Sequence, residues 1–382
     1  MPPSVSQLFL SSKTAAFFVI CALSLFGLKQ FRQWQSLRHR KSKFIIQNGC
    51  EEPPSYPHKD PIFGLDVLLQ NLRKRKRHEL LPEMASRYQK YGNTYSIIFR
   101  GRRALATIDP ENLKTILSTN FTSFDFGTSR NNALRPLLGE SIFTSSGPAW
   151  QHSRAMLRPK FKTQEFVDAG MTTFETHMDA FMSRIPRDGS EVDLQPLFFW
   201  YTLNAALEFL VGQDSLDSHS SAGDDITKIF NDAEKHVGEQ LLLPSFAVGR
   251  LRREYFRKCQ LCHDWLGRHV NQAVRNHKSS KAGATLGTDG STEEKYTFLQ
   301  ELVKDTDDVE KIRSELLSIL LAGRETTASA LSSLWFVLAR RPDVVRKLQV
   351  EVNELEGSRP DFERLKRMRY LQNTIKEGKI NL

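Results

Sequence analysis

The sequence predicts a mainly α-helical body carrying a small β-sheet, preceded by an N-terminal transmembrane helix. Three observations carry that expectation. Apolar residues recur at three- and four-residue spacing through most of the chain after residue 110, which is the period of an amphipathic helix. One short stretch, Tyr95–Ile108, alternates like a pair of strands. A long uncharged segment lies near the N-terminus, just ahead of a basic cluster.

Composition sets the outer limits. The 382 residues are 40% hydrophobic and 26% charged, values of a globular chain long enough to bury a large core. The net charge of +10 and pI of about 9.4 raise the question of nucleic acid. The first fifty residues hold seven Lys or Arg and no Asp or Glu, so most of the surplus belongs to that end. With no interleaved aromatic and basic stacking pattern elsewhere, the charge fits a membrane-flanking segment and no nucleic-acid partner is expected.

Each element follows in order. TAAFFVICALSLFGL, Thr14 to Leu28, spans only about 22 Å as a helix. Extended back to Gln7, with Lys13 snorkelling, it reaches about 33 Å, enough for a bilayer core. The charges lie mainly after the apolar run, so the expectation is an uncleaved signal anchor over residues 7–28, single-pass, with the body cytosolic. Residues 29–66 form a basic flank and a proline-rich hinge, ending in EEPPSYPHKDPIFGLD. RKRKR, Arg73 to Arg77, fits a solvated helix face or a contact with anionic head groups, and both readings stand. Tyr95–Ile108 is expected to be a hairpin turning at Arg100-Gly101. Helical patterns follow at Pro110–Thr119, Trp150–Phe161, Val167–Ile185 and Leu194–Gly212, with Phe121–Pro148 expected as a long functional loop. Lys278–Lys295 is low in complexity and reads as an unstructured link between helical blocks.

The four cysteines are too few for a disulfide framework in a cytosolic body. Cys259-Gln-Leu-Cys262-His263 matches the CxxCH pattern of covalent haem attachment. The same residues also complete a helical stripe with Leu251, Tyr255, Leu266 and Val270. Burial as small hydrophobes is the preferred reading over haem or zinc.

From Val309 to Arg340 the apolar pattern predicts one continuous helix stopped by Pro342. At its centre, LLAGRETTASA places a charge pair, Arg324 and Glu325, and two hydroxyls where packing alone favours leucine. In lipid that charge pair would cost several kcal/mol, which argues against a second membrane span. The Thr326 hydroxyl is placed to bond back to the Ala322 carbonyl, and Gly323 removes a side chain at the same turn. A groove holding an acid and an alcohol, and a simple kink with satisfied polar groups, fit this segment equally well.

AGRETT resembles the oxygen-binding segment of cytochromes P-450, (A/G)Gx(D/E)T(T/S), at every position. WQHSR, Trp150 to Arg154, resembles the WxxxR helix of that family. PENLKTIL, RPDVVRKLQVEVNEL and FERLKRMRYLQNTIKE follow the family in the same order. The anchor and hinge look like its microsomal members, and WQHSRAMLRPKF with LFFWYTLNAALEFLVG is similar to the fungal branch acting on n-alkanes and fatty acids. The resemblance implies a haem-thiolate monooxygenase, with haem b as cofactor and NADPH electrons arriving through a membrane-bound cytochrome reductase. O2 and an apolar small molecule would be substrates, at the endoplasmic reticulum membrane. It assigns proton delivery to Glu325, a hydrogen bond to dioxygen to Thr326, the groove beside haem to Ala322 and Gly323, and a propionate grip to Trp150 and Arg154.

The family pattern then requires an ExxR pair and a later loop bearing the ligand cysteine. Glu377 stands at the first position, but Ile380 occupies the place of the Arg and no cysteine follows. None of Cys21, Cys50, Cys259 and Cys262 lies in a ligand-loop pattern, so no metal ligand is assigned. The expectation is a partial P-450 catalytic domain over residues 67–377 and an unrelated tail over 378–382. Gly-Lys after Glu377 is writable by a splice-donor codon pair. The chain as written is expected to bind haem poorly and to lack the activity. An inactive membrane-anchored helical fragment with a binding or interference role is the alternative.

Overall fold

The computed structural model describes residues 42–381 apart from 100, 213–225, 243–248 and 282–295, together with scattered residues between 29 and 40. The expected anchor over 7–28 and most of the expected link, 282–295, lie outside the described residues. Among the described residues no helix is long and apolar enough to cross a membrane. After Thr119 the chain divides into two compact units.

The first unit carries helices α1 (Leu65–Lys76) and α2 (Leu80–Tyr91), strands β1 (Thr94–Phe99) and β2 (Arg102–Thr107), and the short helix α3 (Pro110–Lys114). The strands pair antiparallel from Thr94 opposite Thr107 to Phe99 opposite Arg102, with Gly101 in the turn at a φ of 73°. This is the hairpin expected from the sequence. Asp109 caps α3 by accepting from the Glu111 and Asn112 N–H groups, and Pro110 takes the first helical position, where its missing donor costs nothing. The proline-rich stretch is tied down rather than free. Tyr56 N donates to Ser96 O at 2.8 Å, and Ser96 N to Pro54 O at 2.8 Å. His58 Nε2 accepts the Ile98 N–H at 2.8 Å, which leaves the ring proton on Nδ1, 3.2 Å from Asp66 Oδ1. Gly64 has φ 67°, and a Cβ there would sit 2.1 Å from the Ile98 carbonyl oxygen, so no other residue fits beside β1.

Among the described residues, the regular elements of the second unit are all helices. Its elements are α4 (Thr128–Leu138), α5 (Gly147–Leu157), α6 (Gln164–Ser183), α7 (Leu194–Val211), α8 (Ile226–Leu242), α9 (Gly249–Lys281), α10 (Phe298–Asp305), α11 (Val309–Leu338), α12 (Pro342–Asn353), α13 (Phe362–Arg367) and α14 (Arg369–Asn381). Helix α7 is apolar around much of its circumference and buries Phe198, Leu203, Ala205, Leu207 and Leu210. It packs along α11, whose N-terminal half buries Ile312, Leu316, Leu317 and Leu320. The C-terminal half of α11 leaves Trp335 and Phe336 49% and 61% exposed.

One expectation needs correction. Phe121–Pro148 is not one long loop, because it contains the whole of α4. That helix has weak local credentials: Ser, two Asn, and Pro136 inside it, which deletes a donor to the turn before. Long-range packing compensates. Ala133, Leu134, Leu137 and Leu138 are buried, Tyr255 Oη donates to the Ala133 carbonyl at 2.6 Å, and His263 Nε2 donates to the Leu137 carbonyl at 2.7 Å. At the other end, α14 runs on to Asn381. Nothing in its local sequence ends a helix there, since no proline intervenes.

The cysteine stripe is core. Tyr255, Cys259, Cys262, Leu266 and Val270 are each at most 3% exposed, within the main apolar cluster. Burial pushes both thiols up to about 12, so they stay protonated and poor as metal ligands.

Candidate active site

The central helix α11 positions the site. Asp308 caps it by accepting the Lys311 N–H at 3.0 Å. One turn on, Glu315 is fully buried, accepts the Ile142 N–H at 3.1 Å and pairs with Lys311 at 2.9 Å. Lys311 Nζ also donates to Ser153 Oγ at 2.7 Å, which ties α5 to α11. Ser318 reaches Ser141 at 2.7 Å. These bonds fix the rotation of α11, and so which residues face outward three turns later.

There the Thr326 hydroxyl donates to the Ala322 carbonyl at 2.7 Å, the back-bond expected from the sequence. The helix stays α throughout, so the bond does not break the ladder. The opening beside it comes from small side chains instead. A Cβ built on Gly323 meets nothing within 4 Å. From Thr326 an apolar groove of about 800 Å³ runs along α11 past Thr327, Ala330, Leu331 and Leu334 to Leu338, walled by residues of α12 and α14. It is open: Thr326 and Gly323 are exposed and Ala322 is half-buried. Glu377, where the ExxR pattern would begin, lines an adjoining groove of about 440 Å³ with Leu334, Leu338 and Gly378.

Arg324 and Glu325 do not pair with each other. Neighbouring residues on a helix point about 100° apart and do not face one another. Glu325 is exposed and Arg324 is buried. Arg324 is held by Glu234 of α8, and its guanidinium carbon lies 5.1 Å from the Phe199 ring centre. Burial pushes the Glu234 carboxyl up to about 7. Arg324 pulls the other way, while a hydrogen bond with the Glu325 carboxyl adds to the rise. Glu234 had no signal in the sequence, since one acid on an amphipathic helix is unremarkable.

Trp150 and Arg154 sit on α5, away from the groove lining. The Arg154 guanidinium lies 5.3 Å from the Trp150 ring centre, and Trp150 also packs on Phe121 at 5.3 Å. The structure thus brings Ala322, Gly323, Glu325 and Thr326 to one turn and leaves the Trp150–Arg154 pair separate.

The second unit is a helical body whose long central helix carries an acid and an alcohol beside an apolar groove. The cytochrome P-450 sequence profile matches residues 54–378, and the chain belongs to that family. It is similar to the cytochrome P-450 monooxygenase himC of Aspergillus japonicus, 40% identical over 87% of this chain and 60% of that protein. Cytochrome P-450 52A12 of Debaryomyces hansenii is 33% identical over 86% of this chain and 65% of its own length. Cytochrome P-450 52A5 of Candida maltosa is 32% identical over 96% and 71%. The chain spans 60% to 71% of the length of these three relatives.

The family's cofactor is haem, with NADPH electrons supplied by a reductase. The residues present fit one face of that group: a flat apolar groove with hydroxyls at its rim and open space over Gly323. Among the described residues, none of Cys50, Cys259 and Cys262 lines the groove. Among the described residues no cluster of three or more His, Cys, Asp or Glu is placed to hold a metal.

Proposed function

We propose that this chain carries the distal, oxygen-facing half of a haem-thiolate monooxygenase that inserts one atom of O2 into an apolar substrate such as an n-alkane or fatty acid. The observation supporting it is the Thr326 turn of α11 opening onto an apolar groove. Haem, when bound, supplies the oxygen chemistry. The residues of this chain do the rest. Gly323 and Ala322 leave room beside the helix, the apolar wall excludes water, Thr326 offers a hydroxyl at the rim, and Glu325 connects that turn to solvent protons. Trp150 and Arg154 are proposed to hold a propionate, with the guanidinium as a charge-assisted donor. A single-pass anchor over residues 7–28 would hold the cytosolic body at the endoplasmic reticulum membrane beside its NADPH-cytochrome reductase. Exposed Ile62, Phe63, Leu65, Leu69 and Leu81, with Arg73–Arg77 on the same unit, support a membrane-facing surface.

A second reading rests on the absence of any described cysteine from the groove: the 382-residue chain folds as a helical protein with a binding or interference role only. Haem content separates the two. The reduced, carbon monoxide-treated difference spectrum of this chain is the measurement. A thiolate-type Soret band in the 382-residue chain overturns the second reading. Failure of this chain to take up haem overturns the first. With haem bound, turnover of dodecane against a fatty acid and a sterol in the presence of the reductase tests the substrate class.

A further inference from the structure

The edge of β1 that faces away from β2 is covered by the proline-rich stretch of the same unit. Ser96 N donates to Pro54 O and Tyr56 N to Ser96 O, each at 2.8 Å, and the Ser55 and Ser96 hydroxyls lie 2.8 Å apart. This short parallel bridge satisfies groups that a bare strand edge leaves open. Two residues further along β1 the partner is a side chain, because the Ile98 N–H donates to His58 Nε2 at 2.8 Å. The His58 side chain is 6% exposed, and its Nδ1 lies 3.2 Å from Asp66 Oδ1. A ring that accepts at Nε2 and donates at Nδ1 is neutral, with its one proton on Nδ1. A second proton has only Nε2 to go to, and there it meets the Ile98 N–H donor against donor. Protonation of His58 and the Ile98 bond therefore exclude each other.

We propose that His58 is a proton-operated clasp: its neutral ring fastens residues 54–58 to the edge of β1, and its protonation loosens them. The groups around the ring do not compete for that role. On α1, burial works against the Asp66 carboxylate, but the His58 ring and the Lys59 N–H outweigh it and hold the carboxyl below its usual range. Asp60 is held low by the Leu65, Phe63 and Ile62 N–H groups. Burial pushes Tyr56 up, its ring centre 4.9 Å from that of His58, and does the same to Tyr95 of β1. From α2, Arg87 and Tyr91 meet the Tyr56 ring, each at 5.5 Å, and Glu83 is taken by Arg87 and Gln70. Strand β1 itself carries no charged residue. Beyond His58 the chain stays fastened, because Lys59 N donates to Asp66 at 2.8 Å and Gly101 N to Phe63 O at 2.9 Å. Each opening thus adds five residues, roughly 17 Å of extended chain, to the proline-rich stretch ahead of α1. The clasp is built from first-unit residues alone, so it stands or falls apart from the proposed haem site.

The test is hydrogen–deuterium exchange of the full chain at about pH 7.5 and about pH 5, either side of the ordinary imidazole range, with rates corrected for intrinsic exchange. The parent is compared with His58→Gln and His58→Phe. In the parent, peptides covering residues 54–58 and Thr94–Phe99 are expected to lose protection roughly tenfold at the lower pH, while Arg102–Thr107 of β2 keeps its own. His58→Gln, whose amide accepts and donates but does not titrate, shows no acid response. His58→Phe keeps a ring beside Tyr56 but offers no acceptor, and is unprotected along that edge at both pH values. Equal protection of the parent at both pH values overturns the clasp, and so does an acid response that survives in His58→Gln. Parent-like protection of His58→Phe at pH 7.5 overturns it too. An equal loss over β2 does the same, since the whole hairpin is then what opens. If His58→Phe fails to fold, the parent and His58→Gln decide the matter.

Discussion

Replacing Glu234 with Gln has a consequence for folding that is worked out from the site. Burial lifts this carboxyl from its ordinary 4.5 to about 7 in the folded chain, while unfolding returns it to water. An acid whose folded value is raised binds more protons folded than unfolded between those two values. Its contribution to stability is therefore present below about pH 4.5 and lost as pH rises through about 7. At about 1.4 kcal/mol per pH unit, the loss between pH 5 and pH 8 comes to roughly 2–3 kcal/mol. That is an upper figure, because the Glu234 side chain keeps 14% of its surface exposed. Gln has no such dependence. Gln cannot ionise, so whatever it costs in packing or hydrogen bonding beside Arg324 adds no pH dependence of its own. Urea unfolding of the parent and Glu234→Gln at pH 5 and pH 8 isolates the slope from the offset. The expected outcome is that the parent loses about 2 kcal/mol more than the variant over that interval. Equal losses would mean that the carboxyl is ionised throughout and that Arg324 alone sets its state.

Three further outcomes follow from other parts of the core. Tyr255→Phe removes the hydroxyl that donates to the Ala133 carbonyl, and about 1–3 kcal/mol of stability with it; chemical denaturation reads the loss, and an unchanged midpoint would detach α4 from α9. In a Cys21→Ser, Cys50→Ser background, Cys259 and Cys262 should not react with a thiol reagent at pH 8 until denaturant is added, and prompt labelling would contradict their burial. His177 Nε2 lies 2.6 Å from Glu208 Oε2, both residues at most 2% exposed. Glu208→Ala should cost about 3–5 kcal/mol and Glu208→Gln clearly less, measured by urea unfolding; equal costs would show that shape, not the polar link between α6 and α7, is what matters there.

What the sequence disclosed, and what it hid, divides by the range over which each feature is determined. The hairpin at Thr94–Thr107 and the helix at Val309–Leu338 are written in local period and punctuation, and both stand where expected. The Thr326 to Ala322 bond is four residues long and was equally legible. Helix α4 was not, because its carbonyls are satisfied by side chains 122 and 126 residues away and its own residues argue for a loop. The same division runs through the AGRETT turn. Read along the chain, Arg324 and Glu325 are adjacent opposite charges and suggest one another as partners. Read around the helix, they lie about 100° apart, so each must find its partner on whatever packs against its own face. For Arg324 that face meets α8 and α7, and the partner is Glu234, 90 residues upstream. The acid that sequence reasoning placed in the site is therefore only the exposed one. The buried acid, fixed by the same arginine, is set by packing, and no spacing rule within the turn points to it.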